Sequence, residues 1–396
     1  MEKRRDSKGR VLNNGESQRK DGRYTYKYTD TSGKPRFVYS WKLTKTDRVP
    51  KGKKDCIPLR EKEAEIWKDL SEGIDSHGKK MTLCELYGKQ NASRANVKAS
   101  TARSRKTLME ALKADCLGAR RIDGIKPSDA KEWAARMKGK GYAYSTINNF
   151  KRSLKASFYI AMQDGYVRKN PFDFKLSDVI SDDREIREPL TEDEEGRLLA
   201  FAGTDKVYRQ YYDVIVVLLN TGLRVSELCG LTINDLDFEK RRISVDHQLL
   251  KDTGHGFYID TPKTKSGTRQ IPMNGAAYQA LRRAASQQGG AHPAAAIDGY
   301  SGFLFQTKKG GLVTGQYYTS AFKRLVRKYN KTHEDRLPDF TPHILRHTFC
   351  TRLANRNMNP KSLQYVMGHS SIEITLNLYA HTSVEDIQKE MERLAF

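Results

Sequence analysis

No stretch of the chain approaches the ~18 consecutive apolar residues of a membrane-spanning helix, so a membrane-embedded protein is not expected. Met1 to Arg10 is charged where an export signal would be apolar, and nothing in it directs secretion. Cysteine is scarce. Cys56, Cys84, Cys116, Cys229 and Cys350 are odd in number, scattered and without a CxxC pair, which argues against a disulfide framework and for a reducing cytoplasm. Internal repeats are absent as well. Acidic residues are outnumbered, 48 against 71 Lys+Arg, leaving a formal charge of +23. With 37% hydrophobic residues over 396 positions, the chain can build modest cores in two to four domains of the usual ~100–200 residues. Its partner is expected to be an anion, nucleic acid or an anionic membrane face ahead of a small neutral substrate.

The charge is uneven: +9 over residues 1–80, +9 over 81–186 and +5 over 187–396. Residues 1–54 alone carry +11, which marks this segment as a separate phosphate-binding module. Aromatics alternate with basic or hydroxyl residues in Arg23-Tyr24-Thr25-Tyr26-Lys27-Tyr28-Thr29, and again in Phe37-Val38-Tyr39-Ser40-Trp41-Lys42-Leu43 after a turn at Asp30 to Gly33. This pattern predicts a β-hairpin. Tyr24, Tyr26, Tyr28, Phe37, Tyr39 and Trp41 are expected to face a helix near Leu59 to Leu70, with Arg23, Lys27 and Lys42 on the open face, either merely solvated or touching DNA.

Gly73 to Lys80 reads as a polar linker. Helical spacing follows at Thr82 to Tyr87, Thr101 to Leu112, Pro127 to Lys138 and Tyr144 to Asp164, punctuated by Gly118, Gly139 and Gly141. The last helix sets Asn149, Lys151, Arg152 and Lys155 beside the core candidates Ile147, Phe150, Leu154, Phe158 and Ile160; the charged residues are either a solvated face or a second DNA grip. A linker at Ser181 to Glu188 precedes Thr191 and Glu194, a capping box that opens a new helix and a new domain. Gln287 to Gly302, rich in small residues, reads as a surface loop.

Chemistry concentrates in the last half. Arg224 opens a short helix with Glu227 three residues on to brace it. His343 and Arg346 lie one helical turn apart, His369 follows Gly368, and Tyr379 lies ten residues later. Four of the nine histidines fall between 343 and 381. One explanation is zinc on His343 and His347, but Ile344 stands where a metalloprotease has its glutamate, and the cationic Arg346 opposes a dication. A second is a hydrogen-bonded helical core. The third is phosphoryl transfer without metal, in which Arg224 and Arg346 neutralise the phosphate with planar bidentate bonds. His343 and His369 then add hydrogen bonds or carry a proton, and a tyrosine attacks once cationic neighbours draw off its proton. Lys263 or Lys265, in what reads as a hairpin turn between Asp260 and Pro272, reaches into a minor groove and protonates the leaving oxygen.

In order along the chain, TGLRVSEL, TPKTKSGTRQIP, HILRHTF, MGHSS and NLYAH resemble the tyrosine recombinase family, including integrases of phages and conjugative transposons. The resemblance implies that Tyr379 forms a 3′-phosphotyrosyl bond and frees a 5′-hydroxyl. Arg224, His343, Arg346 and His369 hold and activate the phosphate, Lys263 or Lys265 is the catalytic lysine, and Glu227 supports. Met367-Gly368 stands where Leu-Gly is commoner in the family. No cofactor and no metal are implied. The implied architecture is multidomain α+β: a small N-terminal β-sheet and helix arm-binding domain over 1–75, an all-α, SAM-like core-binding domain over 81–180 that closes a clamp on DNA, and a mainly α catalytic domain with a small antiparallel sheet over 187–396. Implied partners are double-stranded DNA at core and arm sites, three further copies of the chain in a tetramer passing through a Holliday junction, and an excisionase and host DNA-bending protein. Val384 to Phe396, with Ile387, Met391 and Leu394 spaced apolar, is expected to form a helix that packs on a neighbouring protomer or on its own. A catalytically silent DNA-binding protein of the same fold, or a type IB topoisomerase, are the alternatives.

Overall fold

The computed structural model describes residues 4–30, 33–71, 73, 80–94, 97–184, 188–252, 254, 256–262, 265–287, 296–377, 379 and 391–392. The chain divides into two compact units, Met1–Glu185 and Ile186–Phe396. Most of the linker expected at Gly73 to Lys80, and the final segment apart from Met391 and Glu392, lie outside the described residues.

The first unit holds two hydrophobic cores. Strands β1 (Glu16–Gln18), β2 (Tyr24–Thr29) and β3 (Pro35–Ser40) form an antiparallel sheet in that order, packed on helix α1 (Leu59–Ser71) around Leu12, Tyr24, Tyr26, Leu43, Leu59 and Ile66. The hairpin is as expected, but its facing is not. Thr29 pairs with Pro35 and Tyr24 with Ser40, so even-numbered residues of β2 lie opposite even-numbered residues of β3. Because side chains alternate with period two, Val38 joins Tyr24 and Tyr26 inside, while Phe37 and Tyr39 turn outward at 51% and 40% exposure. Lys42 is also misplaced by the sequence pattern: its side chain is only 16% exposed and is paired with Asp55 at 2.5 Å.

The second core belongs to α2 (Leu83–Ala92), α3 (Ala99–Lys113), α4 (Pro127–Gly139) and α5 (Tyr144–Gln163), packed about Trp133, Tyr87, Phe158 and Phe172. Thr82 and Glu85 close a capping box at the start of α2. On α5 the buried face runs through Ile147, Phe150, Lys151, Leu154, Phe158 and Ala161, with Ile160 only partly buried. Lys151 is therefore a correction to the expected DNA face. Its position, four residues after Ile147 and three before Leu154, puts it on the apolar stripe, where its ammonium lies 4.8 Å from the Phe174 ring and burial lowers its pKa.

In the second unit the expected capping box of Thr191 and Glu194 opens α6 (Glu192–Thr204). The central α7 (Tyr212–Thr221) is apolar all round, Val214 to Leu219 being buried, and α9 (Gly275–Gln287) and α11 (Pro342–Asn355) pack against it. The remaining helices are α8 (Val225–Gly230), α10 (Gly315–Thr332), α12 (Pro360–Met367) and α13 (Ile372–Leu376). Strands β4 (Leu236–Asp237), β5 (Arg242–Val245) and β8 (Arg269–Pro272) make one antiparallel sheet, and β6 (Gln248–Asp252) with β7 (Gly256–Asp260) another. The lysine-bearing segment after Asp260 is thus not the turn of a hairpin. It crosses from β7, paired with β6, to β8, paired with β5. It doubles back closely enough that a Cβ on Gly267 would sit 2.2 Å from the Pro262 Cβ, which leaves glycine as the residue that fits. The overall class, multidomain α+β with a small N-terminal sheet and a mainly helical second unit, is the expected one.

Candidate active site

Helix α7 ends at Gly222 in the left-handed region, φ 62°, where a Cβ would fall 2.5 Å from the Phe349 ring. That tight end swings the chain so that Arg224 becomes the N-cap of α8. Its backbone N–H donates to Glu227 Oε2 at 2.8 Å, Nη1 donates to Glu227 Oε1 at 2.7 Å, and Nη2 donates to the Gly368 carbonyl at 2.8 Å. The Arg224 side chain keeps 39% of its surface exposed, so the fixed guanidinium still offers an edge to a ligand.

Glu227 is itself gripped from behind by Arg269, whose Nη1 and Nη2 donate to the two carboxylate oxygens at 3.1 and 2.9 Å. Burial alone would raise this carboxyl, but the Arg269 bonds and the charges of Arg269 and Arg224 hold it below the usual glutamate value. Arg346, 4% exposed on α11, donates Nη1 to the Gly222 carbonyl and Nη2 to the Met367 carbonyl. Burial, then Arg224, pushes its pKa down to about 9, which leaves it cationic at neutral pH.

His369 follows Gly368, the left-handed cap of α12, and precedes α13. Its Nδ1 shares a hydrogen bond with the Thr375 hydroxyl at 3.0 Å. Burial first, then Arg346, Arg224, Arg269 and His343, depress its pKa to about 4, so the ring is neutral at physiological pH. His343 remains exposed in the first turn of α11, its pKa lowered by partial desolvation and then by Arg346, His347 and Arg224. His347 Nδ1 meets the Thr351 hydroxyl at 3.3 Å. Among the described residues, Asp235, Asp246 and His247 are grouped as metal ligands would be, yet they serve one another and the backbone. His247 bonds Asp246 at 2.6 Å and the Gly230 carbonyl at 2.8 Å, while Asp235 accepts from Thr232.

Arg224, Glu227, Arg346 and His369 therefore meet where the α7–α8 junction, α11 and the α12–α13 junction converge. Tyr379 differs from expectation. Its hydroxyl donates to the Met358 carbonyl, and burial, followed by nearby Cys350, raises its pKa where cationic neighbours were expected to lower it. Lys263 lies outside the described residues, as does the Lys265 side chain, whose backbone starts the turn Lys265–Gly267. The residue that sequence reasoning missed is Arg269, present in the quoted TKSGTRQIP but given no role. Its signal was position: two residues before Ile271 in a strand, it falls on the same face as that apolar residue, and the face is buried.

Two further basic surfaces belong to the first unit. Arg23 is ion-paired with Asp21 at 2.7 Å and places its guanidinium 5.6 Å from the Tyr39 ring and 5.7 Å from Trp41. Arg19 sits 5.5 Å over Tyr39 and Lys53 5.4 Å over Trp41, and Lys27 is exposed on the strand between. This cation–aromatic ladder became visible only once the register turned Tyr39 outward. On the helical part, a cleft of about 590 Å³ is lined by Asn91, Arg94, Arg105, Asn149 and Arg152, while Lys155 is ion-paired with Asp173 at 2.5 Å. Among the described residues no helix is long and apolar enough to cross a membrane.

Residues 188–386 match the phage integrase family, and residues 1–70 match the DNA-binding domain of Tn916 integrase. The transposase from transposon Tn1545 of Streptococcus agalactiae serotype V is 61% identical over 393 residues, spanning 99% of this chain and 97% of the relative. The transposase from transposon Tn916 of Enterococcus faecalis is 60% identical over the same length, again 99% and 97%. The solved Tn1549 transposon integrase in complex with a circular intermediate DNA is 58% identical, with a TM-score of 0.76 over 80% of this chain and 100% of that one. With its arginines, histidines and tyrosine in family order and a family match across half its length, the chain belongs to the phage integrase family of tyrosine recombinases.

Proposed function

We propose that this protein integrates and excises a conjugative transposon or related mobile element in the bacterial cytoplasm, cutting and rejoining DNA through a phosphotyrosyl intermediate. The observation that carries this reading is the pair Arg224 and Arg346 fixed around one spot beside a neutral His369. Two guanidiniums offset the charge that builds on the nonbridging oxygens, and the His369 ring donates a hydrogen bond to one of them. Tyr379 Oη attacks phosphorus, the bond from phosphorus to the 5′ oxygen breaks, and a 3′-phosphotyrosine and a 5′-hydroxyl result. His343 takes the phenolic proton, and Lys263 or Lys265 delivers a proton to the departing 5′ oxygen. Attack requires the Tyr379 hydroxyl to leave the Met358 carbonyl first.

In this reading residues 1–75 grip arm DNA, 81–180 grip core DNA and 187–396 react. Four copies act on two duplexes through a Holliday junction, with an excisionase and a host bending protein as accessory partners. A nicked core duplex taken from the DNA flanking the element tests the chemistry, because loss of the short cleaved strand traps the covalent adduct. Wild-type protein is expected to accumulate a DNA-linked band that Tyr379→Phe lacks entirely. An undiminished band in that variant would refute the nucleophile assignment.

A further inference from the structure

Arg269 is closed off from solvent, its side chain being 0% exposed, so it cannot touch DNA. Its donors are nonetheless all directed at the machinery of the site. Two grip Glu227, Nε donates to the Val366 carbonyl at 2.7 Å, and Nη1 also donates to the Gly267 carbonyl at 3.1 Å. Gly267 closes the turn that Lys265 begins, and Val366 lies two residues before Gly368, whose carbonyl holds Arg224. The consecutive carbonyls of Val366, Met367 and Gly368 thus each accept from a different arginine: Arg269, Arg346 and Arg224.

Resting on the recombinase reading above, we propose that Arg269 is a positioning residue of the reaction: through Glu227 it sets the guanidinium of Arg224, and through Gly267 it fixes the lysine-bearing turn against the end of α12. The physical reason is competition for one carboxylate. Glu227 shares its two oxygens between Arg224 and Arg269. Without Arg269 the buried carboxylate has one cation left, and the attraction draws the Arg224 guanidinium inward, away from the position a phosphate needs. Only the planar fork of arginine reaches a bidentate carboxylate and two carbonyls at once; a lysine keeps the charge and loses the geometry.

A buried ion pair that only stabilises the fold would lower melting temperature and leave the chemistry of the folded fraction intact. The distinguishing measurement is a double-mutant cycle on single-turnover cleavage of the nicked core duplex, using the full chain at saturating DNA. Arg269→Lys and Glu227→Gln are each expected to slow cleavage by ~10–100-fold, with the double variant no slower than the worse single, because both act on the same guanidinium. Losses that multiply in the double variant, or Arg269→Lys cutting within ~2-fold of wild type, would overturn the assignment. If thermal melting shows that Arg269→Lys does not fold, the smaller, uncharged Arg269→Gln takes its place under the same criteria. Wild-type protein that forms no adduct strikes the recombinase reading itself, whereas normal wild-type cleavage with indifferent variants strikes Arg269 alone.

Discussion

Gly368 couples a backbone constraint to the site itself. Its φ of +61° lies in the left-handed region, and a Cβ there would stand 3.0 Å from the Ser266 carbonyl oxygen and 3.1 Å from Arg269 Nη1. Any side chain incurs the left-handed penalty of ~1–2 kcal/mol and also presses the lysine-bearing turn away from α12. Gly368→Ala is expected to lower stability in thermal unfolding by about that amount, and to slow cleavage by more than the unfolded fraction accounts for. A cleavage rate equal to wild type would mean that the packing of turn against helix end does not matter to the chemistry. Gly368 and His369 were legible as part of the MGHSS stretch, and Arg224, Glu227, His343 and Arg346 through their spacing. Arg269 was not, since Glu227 and Val366, which tie it to the site, lie 42 and 97 residues away.

At the level of elements, the hairpin, its supporting helix and the helical segment were legible because their apolar periods are strong. Facing was not, because two alternating strands can pair so that their aromatic faces agree or oppose, and the closing pair Thr29 with Pro35 decides it. Lys151 lies on the apolar stripe of α5, where periodicity and not charge decides which way a long side chain turns. The supposed lysine hairpin failed because a turn-rich stretch between two strands does not reveal whether those strands pair with each other or elsewhere. Helix α1 also carries a proton-dependent interaction. Glu63 meets the buried Glu16 of β1, which Arg60 grips at 3.0 Å; burial and Glu16 push Glu63 up to about 7. A carboxyl raised above its unfolded value of 4.5 stabilises the fold while protonated, and that contribution is lost as pH rises from there through about 7. Glu63→Gln, always uncharged, is expected to increase amide protection of β1 and α1 relative to wild type at pH 8 and to change it little at pH 5. Equal effects at both pH values would show that Glu63 does not titrate in this window.

Across the whole molecule, charge and chemistry are divided. Residues 1–186 carry +18 of the +23, while residues 187–396 carry +5 and bring Arg224, Arg269 and Arg346 close together. Replacing Arg19, Arg23 and Lys27 together is expected to flatten the salt dependence of binding to arm-type duplex, by up to ~0.9 in slope for each phosphate left unneutralised. Cleavage at a short core site should be spared; equal loss at both sites would contradict a separate arm grip. The end of α12 imposes a different kind of constraint. Its three arginines read main-chain oxygens, so the outward side chains of Lys361 and Ser362 are free to drift. One residue added or removed between Pro360 and Gly368 would rotate the helix end by about 100° and present each arginine with the wrong carbonyl. Divergence among relatives in this stretch should therefore be written in substitutions, with its length kept constant.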